Sequence, residues 1–93
     1  MKNPEVFYPL GTVVKMSKKD NPVVIIGRLV RDQIHSEELY DYVAVDYIMG
    51  IQTQDNISFF NNADITGILF VGMQNEEELD FQEFLLTLDK NDY

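Results

Sequence analysis

The chain has 93 residues, 45% apolar and 12% aromatic, with no cysteine and a net charge of −9. That length suits one domain around one modest core, and the missing cysteines exclude disulfides, thiolate metal sites and thiol nucleophiles. Sixteen acids against seven bases also argue against nucleic-acid binding, which needs a basic footprint to release phosphate counterions.

The charge is uneven. Residues 1–31 carry Lys2, Lys15, Lys18, Lys19, Arg28 and Arg31 against Glu5 and Asp20, whereas residues 32–93 carry fourteen acids against Lys90 alone. A basic partner, or solubility, is the expectation that follows. The opening segment leads into an apolar stretch broken by Pro9 and Gly11, unlike the hydrophobic region of a signal peptide. No apolar run approaches the roughly 20 residues of a membrane helix. A cytoplasmic protein with no membrane contact is expected.

In chain order, Gly11 to Met16 is rich in β-branched residues and predicts a first strand. Ser17 to Pro22 is a polar turn with Asn-Pro punctuation, and the apolar run Val23 to Val30 predicts a second strand covered on both faces. The two form a hairpin. Arg31 to Glu38 is a polar loop; Leu39 to Ile48 predicts a third strand and Ile57 to Phe60 a short fourth. Asn61 to Asp64 predicts a turn or one helical turn, because these side chains bond nearby backbone. Ile65 to Val71 predicts a fifth strand closed by Gly72. Gly27 and Gly67 inside strands imply bulges and strong bending.

The period then changes. Phe81, Phe84, Leu85 and Leu88 fall at i, i+3, i+4 and i+7, predicting a helix from about Glu76 to Leu88 whose apolar stripe packs on the sheet. Asn75 is its N-cap, with Glu78 three residues on as in a capping box. Three glutamates in the first turn suit the helix dipole. The whole reads as one α+β domain, residues 1–93 with an ordered core of about 7–88. It is a small, strongly bent, mostly antiparallel sheet of about five strands carrying a C-terminal helix.

Little here builds a catalytic site. His35 is the one histidine, in a polar loop with nothing to orient it, so it reads as a solvated side chain. Asp41 and Asp46 are five apart on one strand, which puts them on opposite faces. The acidic run Glu76 to Asp80 lacks the spacing of a calcium loop, and no glycines cluster for phosphate. No enzyme, cofactor or metal is expected. Arg28, alone in an apolar strand, demands a carboxylate if buried, and Asp46 on the third strand is the candidate, with a ligand clamp as the alternative. The aromatic residues Tyr40, Tyr42, Phe59 and Phe60 are either cross-strand core pairs or a protein-binding patch.

Pro9 to Val14, Val24 to Arg28, Tyr40-Asp41-Tyr42, Phe59-Phe60-Asn61 with Asp64-Ile65, and Phe70 with Gly72 occur in an order and spacing that resembles the domain-of-unknown-function family 4176. The resemblance covers about residues 7–86. It carries over no catalytic residue. It implies a context, the type VII secretion and polymorphic-toxin loci of Firmicutes, and a role as adaptor, chaperone-like accessory factor or immunity protein. The partner would then be a secreted toxin or a secretion component. Strand addition at an unpaired sheet edge would also permit a homodimer.

Overall fold

The computed structural model describes residues 6–33, 37–53 and 56–88. Five strands run in sequence: β1 (Val13–Met16), β2 (Val23–Arg31), β3 (Leu39–Asp46), β4 (Ile57–Phe60) and β5 (Ile65–Phe70). A 3-10 turn at Asn62–Asp64 separates β4 from β5, and one helix, α1 (Glu76–Thr87), follows. All pairings are antiparallel and the sheet order is β4-β3-β2-β1-β5.

That order forces the sheet to curl. In a flat sheet its two edges, β4 and β5, would lie about 19 Å apart, four strand spacings. The chain crosses from Phe60 to Ile65 in five steps, at most about 18 Å when fully extended and less through a 3-10 turn. Ser17 N–H donates to the Asp64 carbonyl at 3.1 Å, tying the end of β1 to that crossing. Bulges supply the bend. The β2–β3 register steps from Ile25↔Ala44 to Gly27↔Val43, leaving Ile26 as the extra residue, and β1–β5 slips on either side of the Val14–Lys15 pairings. Gly27 is needed at its bulge because a Cβ there would sit 2.6 Å from Val43 Cγ1.

Strand ends have local causes. The first strand starts at Val13, two residues later than its composition suggests, because Gly11 adopts φ +88° and donates instead to the Ile25 carbonyl at 2.8 Å. The third ends at Asp46 rather than Ile48. There the Asp46 carboxylate accepts from the N–H groups of Ile48 (3.0 Å) and Met49 (3.1 Å) and turns the chain.

The core is Phe7, Val14, Val23, Ile25, Tyr42, Ala44, Phe60 and Leu85. Each large apolar side chain fully buried there contributes about 1.5–3 kcal/mol. Tyr42 is its centre: its ring meets Phe60 at 5.5 Å and Phe7 edge-on at 6.0 Å. Its hydroxyl donates to Asn62 Oδ1 (3.1 Å) and accepts from Tyr8 N–H (3.0 Å). Burial pushes the phenol well above its ordinary pKa.

The helix begins as expected, with the Asn75 side chain accepting from Glu78 N–H at 2.9 Å. The buried face differs from expectation. Leu85 and Gln82 are buried and Leu88 packs against the core, but Phe81 and Phe84 are 46% and 54% exposed. Arg28 explains the rotation. Its guanidinium, nearly buried, forms a bidentate pair with Glu78, which also accepts from Gln82 Nε2 at 2.8 Å. Asp46 is not its partner: antiparallel pairing sets Arg28 opposite Tyr42 and Asp46 opposite Val23, several residues apart along the sheet. The helix turns its polar Glu78–Gln82 edge inward to satisfy that cation, which leaves the phenylalanines outside. Glu78 therefore does not close a capping box.

Candidate protein-binding surface

The four aromatic residues separate into two pairs. Tyr42 and Phe60 are 0% and 1% exposed and belong to the core. Tyr40 and Phe59 are half-buried, their rings 5.8 Å apart, beside a groove of about 200 Å³ at whose floor Phe60 also lies and which Met16, Ser17, Lys18 and Asp64 complete. β3 and the adjacent edge strand β4 hold these two rings where the edges of the curled sheet approach.

The carboxylates of β3 are accounted for by local structure. Buried Asp41 accepts from Asn62 N–H at 2.8 Å, and its own N–H donates to Asn61 Oδ1 at 3.0 Å, fixing the turn after β4. Asp46 caps its own turn. Glu78 lies below the ordinary carboxylate pKa, chiefly because Arg28 donates to it. Among the described residues no group of three or more acids or histidines could hold a metal ion. His35 lies outside the described residues. Among those described, no helix is long and apolar enough to cross a membrane.

The most exposed apolar surface lies elsewhere. Among the described residues β5 is an edge strand; Ile65 packs against the core, but Ile68, Leu69 and Phe70 are exposed, Phe70 at 62%. The chain continues through exposed Val71 to Met73, 77% exposed, and residues 65–75 contain no charge. Gly72 between them is buried; its N–H donates to Thr12 Oγ1 at 3.0 Å, and a Cβ would lie 2.1 Å from the Leu10 carbonyl oxygen. That close crossing holds Met73 beside Leu10 and Phe81, with which it lines an open groove of about 510 Å³. Phe81 stacks on Phe84 at 6.1 Å, extending the apolar surface along α1. Arg28 lies 5.1 Å from the Phe81 ring centroid and steadies it from beneath.

Singly exposed apolar residues are ordinary, but a run along an unpaired edge that joins a helix flank marks an interaction surface. Sequence reasoning missed Phe70, Met73, Phe81 and Phe84 as surface residues. The available signal was the uncharged run 65–75 followed by a helix with five acids and no base. A second exposed apolar group, Ile48, Met49 and Ile51, follows β3.

Residues 7–81 match the family model described as Domain of unknown function (DUF4176), and the chain belongs to that family. No curated protein matches the chain. No solved structure matches it.

Proposed function

We propose that this member of the family is a non-enzymatic, protein-binding accessory factor, an adaptor or chaperone-like partner in a type VII secretion toxin locus, acting in the cytoplasm. The observation that carries the binding role is the apolar surface running from edge strand β5 through Met73 to Phe81 and Phe84. Such a surface is costly to leave in water and suits transient cover of an apolar segment of another protein. The secretion context rests on the family resemblance. Deleting the gene in its native host tests it. Export of the neighbouring toxin should fall while its toxicity on co-expression is unchanged; undiminished export would refute the adaptor reading.

A second reading is favoured by the outer face of α1, where Glu76, Asp80 and Glu83 form an exposed acidic stripe with no base on the helix. An immunity protein could cover the basic cleft of a toxin with such a face, and charge complementarity would speed its association. Co-expression separates the two: an immunity protein restores growth to cells making the toxin.

A further inference from the structure

We propose that the groove between α1 and the Leu10–Met73 crossing receives a basic segment of a partner protein that carries a bulky apolar anchor. The inference rests on the protein-binding reading above and specifies the partner's chemistry at one site. The groove, about 510 Å³, has apolar walls from Leu10, Met73 and Phe81 and polar walls from Asn75, Glu77 and Glu78. Its size falls within the roughly 300–1,000 Å³ of sites that enclose a compact ligand group.

Charge decides which anchor-bearing segment fits. Glu78 is already neutralised by Arg28 and hydrogen-bonded by Gln82, so its carboxylate serves the fold. Glu77 lines the groove without such a partner among the hydrogen bonds and ion pairs of the described residues, and exposed Glu76 and Asp80 lie on the adjoining outer face of α1. The helix carries five acids and no base of its own, and Arg28 balances only Glu78. An apolar anchor between Leu10, Met73 and Phe81, flanked by Lys or Arg, would bury the exposed carbon and meet those carboxylates together. An acidic segment would gain the first and be repelled by the second. A second copy docking by the same face, as twofold symmetry requires, would bring the four acids that Arg28 does not balance, Glu76, Glu77, Asp80 and Glu83, against the same four.

Synthetic peptides titrated into the full chain test this, read by amide chemical shifts. The probe is a lysine-rich peptide bearing one tryptophan and one leucine; one control replaces every lysine with glutamate, and the other replaces both anchors with serine. The probe should shift amides around Leu10, Met73, Glu77 and Phe81 and weaken as salt rises. Each control should bind at least about tenfold more weakly, as should the probe to the variants Met73→Ser and Glu77→Lys. Both positions are exposed, so the variants keep the fold, checked by their amide spectra.

Equal binding of the serine control would show bulk charge attraction only, and shifts mapping away from the groove would place the site elsewhere; either result overturns the inference. So would self-association that Met73→Ser abolishes and the probe does not compete with, because the occupant would then be a second copy. If the probe binds as stated but toxin export is unaffected by gene deletion, the accessory role fails and the groove's chemistry stands. If export depends on the protein but the probe ignores both variants, this inference fails and the accessory role stands.

Discussion

Removing the Glu78 carboxylate should unfasten the helix from the sheet. In Glu78→Ala, Arg28 keeps its cation in a site where its side chain is only 5% exposed, and loses both bonds of the bidentate pair. What remains is a weak contact to the Tyr8 carbonyl at 3.4 Å and the Phe81 ring at 5.1 Å. Gln82 also loses an acceptor at 2.8 Å. Breaking a buried pair from one side costs about 3–5 kcal/mol. The two residual contacts, and water reaching the partly open Glu78 side, reduce this to about 2–4 kcal/mol. That is a large share of the roughly 5–14 kcal/mol held by a domain this size.

Urea unfolding of Glu78→Ala, Arg28→Met and the double variant Arg28→Met with Glu78→Met measures it. The double variant, which strands no charge, should recover to within about 1 kcal/mol of the native chain. The pair also has a pH signature. Glu78 titrates below its ordinary value in the folded state, so its contribution is present above pH 4.5 and is lost as the pH falls through the lower folded pKa. Glu78→Gln should lack that acid limb. A loss below about 0.5 kcal/mol in Glu78→Ala would mean that the pair behaves like a solvent-exposed one and does not position α1.

Gly72→Ala should destabilise by about 2–4 kcal/mol in the same assay, because the new Cβ meets the Leu10 carbonyl at 2.1 Å and backbone cannot swing aside as a side chain would; a normal midpoint would contradict the close crossing. Tyr42→Phe leaves Tyr8 N–H without its acceptor and should cost about 1–3 kcal/mol. Because burial raises the folded phenol's pKa, the stability it contributes is present below pH 10.0 and is lost above it as the unfolded phenol ionises first. Alkaline unfolding followed by tyrosinate absorbance should therefore be cooperative in the native chain. Glu37→Gly should stabilise by about 0.5 kcal/mol, since Glu37 is exposed at φ +56° and glycine removes the left-handed penalty at some entropic cost; thermal denaturation checks the sign.

The strands and the helix were legible in the sequence because β-branched runs alternate with Gly, Asn and Pro breaks, and these signals are local. Which side chains face outward was not. Phe81 and Phe84 fit a helical stripe by spacing, but the stripe competes with a buried cation on β2, and satisfying Arg28 outweighs covering two rings. No local pattern links Arg28 to Glu78 across fifty residues. The apolar run of β5 carries the same composition whether covered on both faces or bare at an edge. Only the return of β5 to pair with β1 makes it an edge. Of the four aromatic residues singled out from sequence, the register of β3 against β4 sets Tyr42 opposite Phe60 in the core and turns Phe59 to the other side, while Tyr40, beyond the stretch paired with β4, stays half-buried.

Site-specific photo-crosslinking in the native host tests the central claim, that the β5–α1 surface engages another protein. A crosslinking amino acid at Met73 reports on that surface, and one at Lys19, exposed in the β1–β2 turn, serves as the control. Met73 should give a discrete adduct whose partner is a toxin or secretion component, lost on adding Phe70→Ser, and Lys19 should give none. No adduct from Met73, or the same adduct from both positions, would contradict it.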